Sequence, residues 1–330
     1  MQLRTVVAPT STVPRDGDAL RVGIVQIAPV WLDLNATLQK IARVIEDSAP
    51  HNCDLLTFGE ALVPGYPFWV ERTDGARFND PQQKEMFAHY LDQGVDIERG
   101  DLKEICDLAA QQRCGVYLGI MERARDRGSH SLYCTLVYID SMGNIRSSHR
   151  KLQATYEERL VWAAGDGHGL VTHRLGAFTA GGLNCYENWL PMARMALYAQ
   201  GEDLHISVWP GGLHNTQEIA SFIAQESRSY VVACSGLLRQ EDIPTNTPLR
   251  ETIIANSDEF LANGGSTLVA PDGTTLVAPI VNEEVLIVAD LDHGLVRGER
   301  QNLDLAGHYA RPDVLQLSLD RTRQSTLDVK

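Results

Sequence analysis

The sequence predicts an α/β protein built as a four-layer α-β-β-α sandwich. Strand-like and helix-like segments alternate in both halves of the 330-residue chain, and each half then closes with antiparallel strands. The strands are near-continuous apolar runs, which is typical of sheets buried on both faces. Two mixed sheets, each covered by helices on one face, would pack through their other faces to give the four layers.

The elements of the first half follow one another between residues 21 and 152. A β-branched strand at 21–29 precedes the segment 35–50, where apolar residues recur at helical spacing and predict a helix. A strand at 53–60 leads into an insertion at roughly 61–98. The remaining predicted elements are a helix at 101–115, a strand at 116–121, and strands at 131–140 and 145–152 around the turn SMGN.

The second half repeats this order of elements without a visible sequence repeat. Its predicted elements are a strand at 177–185, a helix at 191–201, a strand at 203–210, a helix at 215–229, and strands at 230–238, 265–271, 274–279 and 284–292. We therefore expect one domain over residues 21–315, preceded by a loose lead-in at 1–20 and followed by a short tail at 316–330.

Composition and charge limit the classes of partner. Hydrophobic residues make up 44% of the chain and charged residues 22%, as in ordinary globular proteins. A net charge of −14 argues against nucleic-acid partners, which are held through clustered Lys and Arg. No apolar run approaches the roughly 20 residues of a membrane span, and the first residues lack a signal-peptide core. We expect a cytoplasmic protein that acts on small molecules, with no membrane or nucleic-acid partner.

The six cysteines show neither C-x-x-C pairs nor a Cys/His cluster with zinc spacing. Disulfides and a metal site are therefore not expected. Most of these cysteines are interpreted as small buried hydrophobic residues.

Three predicted strands end in polar residues that a core would not favour: Glu60, Lys151 and Cys185. Sites in α/β folds gather at the carboxyl ends of strands. A charged residue at such a position usually just emerges into solvent, so Glu60 or Lys151 alone is weak evidence. Cys185 is more informative because Pro191 marks the first turn of a helix shortly after it. A thiol near the positive end of a helix and close to an ammonium should ionise more easily.

Three motifs in this order resemble the catalytic segments of the nitrilase (carbon–nitrogen hydrolase) superfamily. They are FGEALVPGYPFW at 58–69, HRKLQATYEERLVWAAGDG at 149–167 and LNCYEN at 183–188. The segments GGSTLVAPDGTTLVAP and GHYARPDV also resemble the nitrilase branch, so the resemblance covers roughly residues 20–315. It implies the sandwich fold of that superfamily and a hydrolase that uses a Glu–Lys–Cys triad without a cofactor.

The resemblance also implies roles for individual residues. Glu60 matches the general base, Lys151 the cationic stabiliser and Cys185 the nucleophile of the triad. Glu158 matches the second glutamate of the family, with adjacent Glu157 as an alternative register.

We expect aromatic residues to border the substrate pocket, namely Trp69, Tyr186 and Trp209, and an apolar substituent on the substrate. The implied reaction converts an organic nitrile and two waters to a carboxylic acid and ammonia. Family resemblance further implies a homodimer or a larger homo-oligomer.

One departure from the family pattern leaves alternatives open. Many nitrilases have tryptophan directly after the nucleophile, where this chain has Tyr186. An aliphatic amidase, or a cyanide hydratase or dihydratase, would use the same triad. A catalytically silent assembly protein that kept the fold is a further alternative, against which the complete set of four matched residues argues.

Overall fold

The computed structural model describes residues 3–8 and 18–327, which form two mixed β-sheets packed face to face. The first sheet contains, in spatial order, β1 (Arg4–Val7), β14 (Val285–Asp292), β2 (Ala19–Gln26), β3 (Leu55–Phe58), β4 (Gly115–Ala124), β5 (Ser131–Ile139) and β6 (Ile145–Arg150). The second contains β11 (Leu237–Arg239), β12 (Phe260–Val269), β10 (Tyr230–Ser235), β9 (Leu204–Trp209), β8 (Phe178–Asn184) and β7 (His173–Leu175), with β13 (Thr275–Val281) paired to β12.

Helices connect and cover these strands. They are α1 (Leu34–Ser48), α2 (Trp69–Arg72), α3 (Pro81–Asp92), α4 (Lys103–Gln112), α5 (Pro191–Tyr198), α6 (Leu213–Thr216), α7 (Ile219–Ser227), α8 (Arg250–Ala255) and α9 (His293–Glu299). Asp33 begins α1 by accepting a hydrogen bond from the N–H of Ala36, a side-chain cap that satisfies one free donor of the first turn. None of the helices within 3–8 and 18–327 is long and apolar enough to cross a membrane.

Apolar residues fill the space between the layers. Ile24 of β2 and Ile206 of β9 belong to one fully buried cluster between the inner faces of the two sheets. Ile41 of α1 and Ile105 of α4 pack on the outer face of the first sheet. Helix α7 covers the second sheet through Ile223. The predicted four-layer α-β-β-α sandwich is confirmed.

Strand β14 occupies a different place from the one predicted. The sequence pattern assigns residues 284–292 to the closing strands of the second half, but the strand lies in the first sheet, antiparallel to β2, with Ile287 opposite Ile24. Periodicity reports which face of a strand is apolar and contains no information about its partner. An apolar strand of this kind fits either sheet, so its position had to come from the folded chain.

Other differences concern helix boundaries. The insertion at 61–98 contains α2 and α3, and the helix predicted at 215–229 is split into α6 and α7. The hydroxyl of Thr216 donates to the carbonyl of Gly265 at 2.6 Å, which ties the short α6 to β12. Strand β7 was not predicted because it is only three residues long.

The two ends of the chain contact the sandwich. In the predicted lead-in, Arg4–Val7 form an edge strand parallel to β14, whereas residues 1–2 and 9–17 lie outside the described residues. In the predicted tail, Leu317 and Leu319 pack against a buried apolar cluster, and residues 328–330 lie outside the described part.

Candidate active site

The four predicted catalytic residues come together between the two sheets. Glu60 follows β3 and Lys151 follows β6 in the first sheet, while Cys185 follows β8 in the second. Glu158 lies in a short 3₁₀ turn after β6. All four are almost completely buried, with 1–2% of their surface exposed. The carboxyl ends of strands from both sheets therefore build one enclosed polar site.

The ammonium of Lys151 lies between two carboxylates. Its Nζ donates to Glu60 Oε1 at 2.8 Å and to Glu158 Oε2 at 2.7 Å. Burial alone would lower the pKa of Lys151, but the negative groups around it, Glu60 first, raise this pKa well above its usual value. Lys151 therefore stays charged and can stabilise negative charge that develops nearby.

One carboxylate oxygen of Glu60 accepts no hydrogen bond from the residues that the structure describes. Its Oε1 accepts hydrogen bonds from Lys151 and from the thiol of Cys134, whose Sγ is 3.1 Å away. Its Oε2 is buried and has no hydrogen-bond partner among the described residues. Burial raises the pKa of Glu60 to about 7, with Lys151 opposing the shift and Glu158 adding to it. An oxygen with this basicity and no protein donor is suited to accept a proton near neutral pH.

The backbone around Glu60 packs directly on β4. A Cβ added to Gly119 would lie 2.1 Å from the carbonyl oxygen of Gly59 and 2.7 Å from the Cα of Glu60. Only glycine leaves room for the Glu60 segment at this approach.

Glu158 is held by donors on several sides. Its Oε2 accepts from Lys151 and from the backbone N–H of Thr155 at 2.6 Å, and its Oε1 accepts from the Tyr66 hydroxyl at 2.8 Å. The adjacent Glu157 is only half-buried, and its Oε1 is 3.4 Å from the same hydroxyl. Of the two registers considered from the sequence, it is Glu158 that contacts Lys151.

Cys185 has an unusual backbone conformation. It begins the 3₁₀ turn Cys185–Trp189 with a φ of 48°, in the left-handed region that few non-glycine residues adopt. The side-chain amide of Asn188 donates to the carbonyl of Cys185 at 2.8 Å and supports this conformation. Strained backbone of this kind occurs often at functional sites, where the surrounding structure holds it.

The expectation that the Cys185 thiol ionises easily is wrong for the resting site. Burial raises the pKa of the Cys185 thiol well above its usual value, and Glu60 and Glu158 add to the shift. Lys151 and the backbone N–H of Tyr186 oppose it without reversing it. One ammonium cannot offset complete desolvation and two neighbouring carboxylates. The resting thiol therefore keeps its proton until a base accepts it.

The donor atoms of this cluster are close enough to hold a metal ion. One oxygen each of Glu60 and Glu158 and the sulfur of Cys185 lie within 4.8 Å of one another. The ammonium of Lys151 already contacts both carboxylates, so this chain supplies a positive charge of its own at that place.

The three predicted substrate-binding residues differ in their surroundings. Tyr186 is 49% exposed, and its ring meets that of Trp209 edge to face at 6.5 Å between centroids. Trp209 is fully buried, and its indole N–H donates to Ser207. Trp69 is buried against Tyr90 and lines a cavity of about 430 Å³, which none of the four predicted catalytic residues lines.

Three further residues contact the cluster and were not predicted from the sequence: Tyr66, Cys134 and Trp162. Tyr66 and Cys134 donate to Glu158 and Glu60, as described above. The Trp162 ring lies under the Lys151 ammonium at 5.8 Å and meets Tyr66 edge to face. Tyr66 and Trp162 stand inside the recognised motifs, but they lie in irregular segments where periodicity gives no orientation.

The chain is similar to known proteins over most of its length. A sequence profile of the carbon–nitrogen hydrolase family matches residues 21–301. The chain is 34% identical over 322 residues to an arylacetonitrilase of Aspergillus niger, covering 93% of this chain and 90% of that one. It is 32% identical to an aliphatic nitrilase of Sinorhizobium fredii, covering 93% and 97% of the two chains.

Solved structures are similar in fold. An amidase from Nesterenkonia sp. AN1 superposes with a TM-score of 0.63 at 18% identity, covering 89% of this chain and 98% of that chain. At this level of identity the likeness concerns the architecture only.

Proposed function

Because the chain belongs to the carbon–nitrogen hydrolase family, we propose that it is a nitrilase, which converts an organic nitrile to a carboxylic acid and ammonia. The observation that carries this proposal is the buried cluster in which Lys151 bridges Glu60 and Glu158 beside the Cys185 thiol. The similarity to proteins named arylacetonitrilase and aliphatic nitrilase favours nitriles as the substrate class.

In the proposed first step, Cys185 attacks the nitrile carbon. Glu60 Oε2 takes the thiol proton as the new S–C bond forms and one π bond of the nitrile breaks. The electron pair moves to the nitrogen, where Lys151 and the backbone N–H of Tyr186 stabilise the charge. Such a preorganised donor is typically worth about 3–4 kcal/mol. Glu60 then passes this proton to the nitrogen, which gives a covalent thioimidate and restores the Glu60 carboxylate.

Two waters complete the reaction. The first, activated by Glu60, adds to the thioimidate carbon, and ammonia leaves to give a thioester. The second water cleaves the thioester, which releases the acid and returns the proton to Cys185. Glu158 holds Lys151 and Tyr66 in place during these steps, as their hydrogen bonds support. No external oxidant or cofactor is needed, because every bond change is a proton transfer, addition or elimination.

An aliphatic amidase is the alternative reading, favoured by tyrosine rather than tryptophan after the nucleophile. The experiment is a panel of matched nitriles and amides, aliphatic and arylaliphatic, in which ammonia and acid are both measured. A higher kcat/KM for the nitriles is expected. If kcat/KM is higher for the amides throughout, the nitrilase assignment fails, while a minor amide product from nitriles is compatible with it.

We further propose that a second copy of the chain covers an apolar patch beside the site. This patch consists of Tyr186, Trp189, Leu190 and Met192, which are 44–64% exposed. Clusters of exposed apolar residues mark interaction surfaces. A homodimer or larger homo-oligomer would bury the patch.

A cytoplasmic location is also proposed, supported by six cysteines that are all free thiols. Fractionation of cells that express the protein would test it.

A further inference from the structure

Two of the proposed catalytic side chains come from different sheets. Lys151 follows β6, the edge strand of the first sheet, and Cys185 follows β8 in the second. These strands are not hydrogen-bonded to each other, so backbone pairing does not set the spacing between the Lys151 ammonium and the Cys185 sulfur. A contact other than strand pairing must fix the position of one strand end relative to the other.

The carboxylate of Glu187 joins these strand ends. Its Oε1 accepts from the backbone N–H of Leu152 at 2.6 Å, and its Oε2 accepts from the backbone N–H of Asn184 at 2.9 Å. Leu152 is the residue after Lys151, and Asn184 is the residue before Cys185. One side chain, 1% exposed, therefore contacts the backbone next to both residues.

His149 holds this carboxylate from the β6 side. Its Nε2 lies 3.1 Å from both oxygens of Glu187, and because a carboxylate only accepts, Nε2 carries the proton. Burial alone would raise the pKa of Glu187, but His149 and the backbone donors lower it below its usual value. Glu187 therefore remains ionised and accepts from all its donors at once.

We propose that Glu187, oriented by His149, is a positioning residue that fixes the distance between the Lys151 ammonium and the Cys185 sulfur across the two sheets. This inference rests on the proposed function, because it assigns Lys151 and Cys185 to the reaction. Glu187 itself does not touch the reacting atoms in this account. Its length and its two acceptor oxygens explain why a glutamate stands two residues after Cys185.

The variants follow from this geometry. In Glu187→Gln only one oxygen remains, so an amide NH₂ group must face either the Leu152 or the Asn184 N–H. In Glu187→Asp the side chain is one carbon shorter and cannot span both strand ends. His149→Gln removes the bidentate orientation and leaves the carboxylate in place.

A matched control exists at the opposite end of β8. The buried carboxylate of Asp203 accepts from the Thr179 N–H at 2.6 Å and from His293 at 2.9 Å. Asp203→Asn thus disturbs a similar carboxylate–histidine pair at the same strand, away from Cys185.

The experiment measures kcat and KM on the best substrate of the nitrile and amide panel, thermal unfolding, and the pH dependence of Cys185 alkylation by iodoacetamide. Glu187→Gln and Glu187→Asp should lower kcat on the order of 10–100-fold with little change in KM, as expected for misplaced reacting groups. The alkylation midpoint should move to higher pH because the ammonium stabilises the thiolate less. Asp203→Asn should lower the melting temperature and leave kcat and the alkylation midpoint unchanged.

The proposal is overturned if the Glu187 variants keep wild-type kcat and alkylation midpoint, or if Asp203→Asn reproduces their kinetic losses. If neither Glu187 variant folds, His149→Gln decides: a higher alkylation midpoint supports the proposal, and an unchanged one overturns it. Alkylation needs no nitrile turnover, so this result stands even if the panel shows that the enzyme prefers amides.

Discussion

At the scale of single residues, the candidate site is defined by an imbalance of charge. Two buried carboxylates, Glu60 and Glu158, share one ammonium, and a protonated thiol lies beside them. Burial, with the neighbouring carboxylates adding to it, raises the pKa of Glu60 to about 7 and the pKa of Cys185 well above its usual value. In the proposed reaction, the Cys185 thiol therefore transfers its proton to Glu60 as it attacks the substrate, and it is not a thiolate in the resting site.

The first prediction concerns the cysteines. Cys185→Ala should abolish turnover, because it removes the sulfur proposed to form the covalent intermediate, while circular dichroism and thermal unfolding show a folded protein. Iodoacetamide should inactivate the wild-type enzyme with the label on Cys185. Cys106, half-buried on α4, serves as the control, and Cys106→Ala should keep wild-type activity. Inactivation with the label elsewhere and Cys185 unmodified would contradict this prediction.

The second prediction separates chemistry from substrate binding. Glu60→Gln and Lys151→Met should reduce kcat by roughly 10²–10⁴-fold and change KM far less, since both groups act on charge that changes during the reaction. Lys151→Met also leaves two buried carboxylates without a cation, which costs on the order of 3–5 kcal/mol of stability unless one of them takes up a proton.

The thermal stability of each variant should therefore be measured together with its kinetics. Lys103→Met, which removes an exposed ion pair on α4, should change neither property measurably. A Glu60 or Lys151 variant that retains more than about a tenth of wild-type kcat is too active for a positioned acid–base group.

The third prediction concerns pH. Because Glu60 must be ionised to accept the thiol proton and its pKa is about 7, kcat/KM should fall as the pH drops through this value. This fall in kcat/KM is the acid limb of the pH profile. The hydrogen bond from Cys134 lowers the pKa of Glu60, so Cys134→Ala should move the acid limb to higher pH. Cys134→Ser, which keeps a donor, should move it less. Cys114→Ala, a buried cysteine on another part of the fold, should not move it, and an acid limb insensitive to Cys134 would exclude the assigned contact.

Much of the candidate site was predictable because three of its residues stand at the ends of predicted strands. Glu60, Lys151 and Cys185 stand where periodic segments stop, and the motifs identified them independently. Tyr66 and Trp162 could not be placed in this way, because side-chain directions in irregular segments depend on contacts between distant parts of the chain. The high pKa of Cys185 was also unpredictable, since it depends on how completely two sheets exclude water.

At the scale of elements, β4 supports the segment that carries Glu60. Gly119→Ala should lower kcat by roughly 10–100-fold, because a Cβ there lies within 2.1 Å of the Gly59 carbonyl and must displace the Glu60 backbone. Gly115→Ala on the same strand is the control, since its Cβ meets a Tyr138 side-chain atom first, at 3.3 Å.

Both variants should lose some thermal stability. Only Gly119→Ala should lose activity well below its melting temperature. Equal activity of the two variants would show that the close approach does not position Glu60.

The elements themselves were predictable to different degrees. Long periodic segments such as α1 and β5 appear close to their predicted positions, because each has enough residues to show its period. Short elements such as β7 and α6 depend on tertiary contacts for their existence. The place of β14 in the first sheet was the largest error, because the partner of a strand is a property of the whole fold.

At the scale of the whole molecule, the fifth prediction is self-association. Light scattering at micromolar concentration should give at least twice the chain mass of 36.5 kDa. Met192→Lys places a charge in the apolar patch and should shift the protein toward the monomer. Met142→Lys is the control, because Met142 is similarly exposed but lies in the β5–β6 turn. A wild-type mass near 36.5 kDa would refute the dimer.

The position of β14 also has a consequence for biosynthesis. Glu60, Lys151 and Cys185 leave the ribosome well before residues 285–292, yet β2 gains its second neighbour only when β14 arrives. At about 5–20 residues per second, the roughly 100 residues between Cys185 and β14 take on the order of 5–20 s to translate. During that interval the nascent chain exposes an unpaired strand edge in its first sheet, a template for pairing with other chains. Translation that stops before residue 285 should therefore yield an aggregating product, even though every proposed catalytic residue has been made.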